Sequence, residues 1–230
     1  MFIKYARRLE VYIMEHRKYP QIVFSQMNRF SNSNGGYYLD ENNTCFLVRN
    51  KTKIYFGECK NILGTVIMTN PGSYGLGKID GWEKFKRGEG EGSALLGSGY
   101  ADLTMQNIIL VVNEAFEEAG KKPDGYLAVY NISSVVCPKG KKADSYHAVL
   151  SDIVDKNRLG RELLVDPVVK DQEKFMQVFE ESPFVMMGFV KGAFNSKVYD
   201  LLRWAEKFQN KIISYDESGW PSHPRRWRTE

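Results

Sequence analysis

Strand-like and helix-like segments alternate along the chain, and this alternation constrains the fold more than any other feature. Short apolar runs typical of buried strands lie at 62–68, 126–132, 184–189 and 211–215. Segments with apolar residues at helical spacing separate them, at 102–119, 167–181 and 193–209. Such alternation favours a mainly parallel sheet with helices on both faces. We therefore predict the α/β class, as a three-layer α/β/α sandwich around a central, mainly parallel four-stranded sheet.

The N-terminal part of the chain stands apart from this alternation. Residues 3–17 carry apolar side chains at helical spacing and predict an amphipathic helix. The short runs at 45–48 and 53–56 predict the two strands of a β-hairpin. We interpret residues 1–60 as an extension packed on one edge of the sheet. Because no linker or low-complexity break follows, residues 1–230 are predicted to form a single domain.

Composition argues against membranes and metals but leaves nucleic acid open. No apolar run approaches the ~20 residues that span a bilayer, and the first residues lack a signal-peptide stretch. We therefore expect a cytoplasmic protein with no membrane partner. Cys45, Cys59 and Cys137 are dispersed and the three histidines are scattered, so we expect no metal, no iron–sulfur cluster and no other cofactor.

Two polar segments follow predicted strands and contain residues suited to chemistry. Asn70-Pro71-Gly72 comes directly after the first apolar run, and Ser222-His223-Pro224 follows the last one. The carboxyl ends of parallel strands line the crevice where ligands bind, so an amide and an imidazole are expected to meet there. The plain alternative for the first segment is a turn, because proline and glycine after a strand most often serve only that purpose.

A glycine-rich segment and the start of a predicted helix lie between these two motifs. Residues 70–100 are rich in glycine and are predicted to form a long loop, which inside a compact domain is usually functional or disordered. Asp102 or Thr104 is expected to cap the helix that follows. The run Gly88–Ser93 does not fit the phosphate-loop pattern and follows no strand, so we discount nucleotide hydrolysis.

Four segments in order resemble motifs of the uracil-DNA glycosylase superfamily. They are Met68–Tyr74 (MTNPGSY), similar to the first motif of the mismatch-specific branch; Tyr130–Pro138 (YNISSVVCP), similar to the loop after the second strand; Val185–Gly188, similar to the third strand; and Ser222–Pro224, similar to the His-Pro motif. The chain is also similar to an uncharacterised family of small bacterial and phage proteins, through Asp102-Leu103-Thr104 and Gly219–Pro224.

The first resemblance implies an enzyme that hydrolyses the N-glycosidic bond of a flipped DNA base. Asn70 would position the attacking water, and His223 would donate a hydrogen bond to the departing base. Modified pyrimidines of foreign DNA are candidate substrates, in repair or in defence. The implied substrate-binding residues are Pro71, Gly72, Ser73, Tyr74, Asn131 and Ser133.

Basic residues surround the His-Pro motif and predict a DNA-binding surface. The candidates are Arg225, Arg226, Arg228 and Lys139. Trp220 or Trp227 would fill the gap left by a flipped base. DNA is therefore the expected partner, bound by a monomer. The plain alternative is a solvated basic tail.

Other interpretations remain open. A non-catalytic nucleic-acid or nucleotide-binding module of the same fold is favoured by Arg225, because the superfamily has serine or glycine after His-Pro. A protein-interaction scaffold is supported only by the unexplained first sixty residues. His147 is interpreted as a surface or capping residue, and Cys137 as structural.

Overall fold

The structure is a computed structural model that describes residues 21–72, 75–77, 79–137 and 139–227. Its strands are β1 (Ile22–Arg29), β2 (Leu47–Phe56), β3 (Ile62–Met68), β4 (Ala94–Gly99), β5 (Gly125–Asn131), β6 (Val185–Met187) and β7 (Lys211–Ile212). Its α-helices are α1 (Trp82–Lys86), α2 (Leu103–Glu118), α3 (Ala143–Lys156), α4 (Pro167–Lys170), α5 (Gln172–Glu181) and α6 (Asn195–Ala205). The predicted helix at 3–17 lies outside the described residues.

The seven strands form one mixed sheet in the order β4-β1-β2-β5-β3-β6-β7. Four neighbouring strands of this sheet, β5, β3, β6 and β7, are parallel. Met68 of β3 lies beside Asn131 of β5, and Ile67 of β3 lies beside Met187 of β6. These four strands correspond to the four apolar runs of the sequence, and their carboxyl ends meet at one edge. The predicted α/β class is confirmed.

The prediction of a four-stranded sheet was wrong. Three further strands extend the sheet beyond β5, because β2 pairs antiparallel with β5, β1 with β2, and β4 with β1. The outermost strand, β4, lies inside the segment 70–100 that was predicted to be a loop. Its side chains are mostly exposed or half-buried, so the strand lacks the apolar run by which the inner strands are recognised.

The predicted hairpin at 45–56 was also wrong, because residues 47–56 form the single ten-residue strand β2. The turn signal marks a β-bulge. Lys51 has a left-handed φ of 53°, and the pairing with β1 shifts register between Phe24 and Gln26. Since β1 and β2 lie between β4 and β5, residues 22–56 belong to the sheet and are not an appendage on its edge.

Helices cover both faces of the sheet, as the continuous burial of β6 and of most of β3 requires. On one face Ile108 and Ile109 of α2 share a core with Val66 of β3. On the other face α5 and α6 pack on Ile67, and α3 packs on Val48 of β2. Neighbouring residues of one strand therefore contribute to opposite layers, and β3 is held from both sides.

Two helix starts differ in how well the sequence predicted them. Asp102 caps α2 as expected, because its carboxylate accepts a hydrogen bond from Met105 N at 3.0 Å. The helix predicted at 167–181 is instead two helices. Asp171 lies between them in an extended conformation, and its carboxylate caps the second by accepting from Lys174 N.

A buried arginine organises the glycine-rich segment before β4. The Arg29 guanidinium donates hydrogen bonds to the carbonyl oxygens of Phe85, Glu89, Gly90 and Gly92, at 2.8–3.0 Å. These residues therefore present carbonyl groups to a cation, which is the opposite of a loop whose N–H groups cradle a phosphate. The segment has a structural role in holding β4 against β1.

Candidate functional site

A cleft of about 370 Å³ opens at the carboxyl ends of the parallel strands. Its walls include four loops and one helix start: the loop after β3 with Asn70 and Gly72, the loop after β5 with Cys137 and Gly140, the loop after β6 with Phe189, the segment after β7 with Trp220 and His223, and the first turn of α2. Clefts of this size accommodate small ligands or single nucleotides. The two motifs predicted to meet at this edge of the sheet line the same cleft.

Asn70 ties two of these loops together. Its side chain is 7% exposed, and Nδ2 donates hydrogen bonds to Pro71 O at 2.7 Å and to Cys137 O at 2.9 Å. The backbone N–H of Cys137 donates in turn to Pro71 O at 3.0 Å. Because both amide protons are used in this way, Oδ1 is the atom of this side chain that would serve a water or ligand in the cleft.

His223 begins a single 3-10 turn, Pro224–Arg226, which packs on α2. Asn107 of α2 holds this turn, because its Nδ2 donates to Pro224 O at 3.2 Å and to Arg225 O at 2.8 Å. His223 Nδ1 accepts a hydrogen bond from Arg225 N at 3.3 Å. An accepting Nδ1 assigns the proton of the neutral ring to Nε2, which makes Nε2 a hydrogen-bond donor.

The surroundings of His223 keep its ring neutral. Burial, the largest effect, lowers the pKa of His223 to about 4; the Asp102 carboxylate opposes this shift, and Arg225 and Arg226 add to it. At neutral pH the side chain therefore carries no charge. It can donate a hydrogen bond, but it does not contribute an imidazolium to the cleft.

Asp102 brings a carboxylate into the cleft that sequence analysis identified only as a helix cap. One oxygen, Oδ1, is held by the Met105 N–H. The other, Oδ2, faces the loop after β3, since a Cβ built on Gly72 would lie 3.4 Å from it. The signal in the sequence was a capping aspartate on the helix that follows the first motif.

Arg49 was also missed, because it comes from a strand that was assigned to the N-terminal extension. It lines the cleft and is only 2% exposed. A cation directly after the apolar run 45–48 was the available signal. Among the described residues, five cations and two carboxylates line the cleft: Arg49, Lys141, Lys191, Arg225 and Arg226, against Asp102 and Asp216. This excess of positive charge suits an anionic ligand.

Four predicted site residues do not line the cleft: Pro71, Asn131, Ser133 and Lys139. Asn131 is 3% exposed at the end of β5, and its Oδ1 has no hydrogen-bond partner among the described residues. Ser133 is fully buried; its Oγ lies 2.8 Å from His147 Nδ1 and accepts from Val135 N. Lys139 is exposed beside Gly140 and Lys141, which do line the cleft.

The prediction that a tryptophan fills the gap left by a flipped base was wrong. Trp220 and Trp227 are 6% and 8% exposed. Their indole N–H groups donate to Phe189 O at 3.1 Å and to Ser222 O at 2.9 Å, respectively. Both indole rings are therefore packed in the protein interior. The predicted residues Ser73, Tyr74 and Arg228 lie outside the described residues.

Among the described residues, no group of histidine, cysteine, aspartate and glutamate side chains is placed to hold a metal ion. In the same part of the chain, no helix has the length and apolarity needed to cross a bilayer.

Comparisons with protein-family models, with curated proteins and with solved structures gave no match to this chain. The resemblance to the uracil-DNA glycosylase superfamily therefore stays a prediction.

Proposed function

We propose that the protein is a DNA glycosylase-like hydrolase that cleaves the N-glycosidic bond of a nucleotide held in the cleft. The observation that carries this proposal is that Asn70 and His223 line one cleft, although 153 residues separate them along the chain. The strands β3, β5, β6 and β7, which precede or contain the motifs that resemble the superfamily, lie side by side and parallel.

The residues of the cleft suit a dissociative cleavage. As the bond between the anomeric carbon and the base nitrogen breaks, its electron pair moves to the base and positive charge develops on the sugar. Nε2–H of neutral His223 would donate a hydrogen bond to a carbonyl oxygen of the base, where the negative charge develops. The ring keeps its proton, and the departing base takes a proton from solvent.

The attacking water would lie between Asn70 and Asp102. Asn70 Oδ1 would accept a hydrogen bond from the water and orient it against the anomeric carbon. Asp102 Oδ2 would take the proton that the water releases as its oxygen bonds to that carbon. The carboxylate adds a proton acceptor that an amide alone does not provide.

The cations of the cleft would bind the phosphates on either side of the reacting nucleotide. Arg225 and Arg226 are exposed and line the cleft beside His223. A guanidinium can pair with a phosphate through two hydrogen bonds. Their position supports DNA as the substrate and explains why basic residues follow the His-Pro motif.

The test is release of a base from DNA. Substrates carrying uracil, a thymine mismatch, or hydroxymethylated or glucosylated cytosine, together with phage and host genomic DNA, are incubated with the protein and treated with alkali. We expect strand breaks for at least one substrate, and a rate lower by about 100- to 1000-fold for His223→Ala. His147→Ala is the matched control, because His147 bonds to Ser133 outside the cleft. The proposal fails if no substrate yields abasic sites while control glycosylases cut them.

The second candidate is a non-catalytic module that binds nucleic acid or nucleotides in the same cleft. The observation that favours it is Arg225, a cation directly after His-Pro that lines the cleft. A binder would retain affinity for DNA and release no base, and its affinity would fall when the arginines are replaced. A catalyst would lose turnover in Asn70→Ala while still binding DNA.

A further inference from the structure

The mouth of the cleft carries exposed apolar side chains on two sides. Leu103, at the start of α2, lines the cleft and is 43% exposed. Tyr199 of α6 is 62% exposed, and its ring meets the edge of the cleft-lining Trp220 at a centroid distance of 5.9 Å. Large exposed apolar groups beside a polar cleft are suited to contact a ligand that extends beyond it.

These two side chains lie on opposite sides of the sheet. The α2 helix packs on one face and α6 on the other, and the cleft opens at the end of the sheet between them. A ligand that touches both Leu103 and Tyr199 must therefore cross the end of the sheet and pass over the cleft. A ligand that follows this path must be an elongated molecule.

Cations lie along this path. On the α2 side, Asn107 lies one helical turn after Leu103, on the same stripe of the helix, and holds the backbone of Arg225 by a hydrogen bond of 2.8 Å. The backbone of Arg225 is thus held against the stripe of α2 that carries Leu103, and both Arg225 and Arg226 line the same cleft as Leu103. On the α6 side, Lys191 lines the cleft and its Nζ donates to Ser218 Oγ at 2.7 Å, in the loop that leads to Trp220.

We propose that the mouth of the cleft binds a single strand of nucleic acid, which crosses the end of the sheet from Leu103 to Tyr199. One nucleotide enters the cleft, a neighbouring base stacks on the Tyr199 ring, and another packs against Leu103. Phosphates of the strand pair with Arg225, Arg226 and Lys191. The inference rests on the proposed function for the nucleotide inside the cleft, and it adds that this nucleotide belongs to a single strand.

Single-stranded and duplex substrates differ in what they present to this surface. In a duplex the base faces are covered by their neighbours, whereas an unpaired strand offers them to aromatic side chains. Stacking of a base on an aromatic ring is worth about 1–3 kcal/mol, which corresponds to roughly 5- to 150-fold in affinity. We therefore expect the protein to bind an unpaired strand more tightly than the same strand in a duplex.

The experiment measures fluorescence anisotropy of a labelled 12-nucleotide strand, the same strand in a duplex, and a labelled mononucleotide, at one fixed salt concentration. We expect Tyr199→Ser to weaken single-strand binding by at least about 5-fold, Tyr199→Phe to retain it because the ring remains, and Leu103→Ser to weaken it in the same direction. Mononucleotide binding should not change in Tyr199→Ser or Tyr199→Phe, because Tyr199 does not line the cleft. Val149→Ser is the control, since Val149 is 52% exposed on α3 and does not line the cleft.

The outcomes separate this inference from the proposed function. Equal or tighter binding of the duplex, or unchanged single-strand binding in both Tyr199→Ser and Leu103→Ser, overturns the single-strand path and leaves base release to be decided by its own assay. Single-strand binding that depends on these side chains, in a protein that releases no base, supports the path and refutes catalysis.

Discussion

Replacing Asn70 with alanine tests whether its amide joins the two loops that shape the cleft. The variant loses the hydrogen bonds from Nδ2 to Pro71 O at 2.7 Å and to Cys137 O at 2.9 Å. A typical intramolecular hydrogen bond contributes about 0.5–1.5 kcal/mol, so the two together predict a loss of about 1–3 kcal/mol in the free energy of unfolding. The site is buried, and the two carbonyl oxygens lose a donor that water cannot easily replace.

Asn210→Ala is a closely matched control. Asn210 Nδ2 also bridges two carbonyl oxygens, Phe179 O and Ser182 O, each at 2.8 Å, but Asn210 does not line the cleft. Both variants should lose similar amounts of stability. Only Asn70→Ala should lose base release beyond what its lower stability explains, because only Asn70 is placed to orient the water.

The assay combines urea unfolding, followed by tryptophan fluorescence, with the base-release rate at a temperature where both variants are folded. For a chain of this length, the expected loss corresponds to a fall in Tm of about 2–12 °C. If Asn70→Ala unfolds at the same urea concentration as the natural protein, the amide does not join the loops. If the two variants release base at equal rates, the assignment of the water to Asn70 is refuted.

Three further predictions concern the His-Pro loop. NMR titration should find the pKa of His223 near 4. The free energy of unfolding should fall as the pH drops from about 6.5 towards 4, because the unfolded chain binds the proton first. Replacing Arg225 and Arg226 with glutamine should raise the pKa of His223. Changing both arginines to alanine should flatten the log–log salt dependence of DNA binding by about one to two units, and an unchanged slope in titrations at several salt concentrations would contradict phosphate contact. Gly188→Ala should lower stability in urea by about 1–3 kcal/mol, since a Cβ there would overlap the carbonyl oxygen before His223; Gly77→Ala, with nothing within 4 Å, should have little effect.

The candidate site was partly predictable because its two motifs end predicted strands. Asn70 follows β3 directly, so assigning that strand also placed the amide at the carboxyl edge of the sheet. His223 is eleven residues beyond Ile212, the last residue of β7, and its position depends on the loop that returns to Gly188. The order of the motifs indicated the correct edge of the sheet. The position of the His223 imidazole along that edge depends on the close approach of the Ser222 backbone to Gly188.

The missed residues come from elements that local pattern does not connect to the site. Arg49 belongs to β2, whose antiparallel pairing with β5 joins residues distant in sequence. Asp102 was recognised as a cap, but a cap faces a ligand only if its helix begins at the cleft. Asn131 and Ser133 were assigned to the site through the resemblance of the segment 130–138, yet both are buried and neither lines the cleft.

The sequence by itself determined the α/β class, located the four apolar runs that become β3, β5, β6 and β7, and limited the cap of α2 to Asp102 or Thr104, because each depends on short-range signals: apolar runs buried on both faces, helical spacing, and a polar side chain before the first turn. Tertiary structure alone decided the three antiparallel strands, the bulge at Lys51 and the charge of the cleft. Those features arise from pairing between distant segments, where a strand such as β4 is stabilised by its neighbour's hydrogen bonds rather than by an apolar pattern of its own.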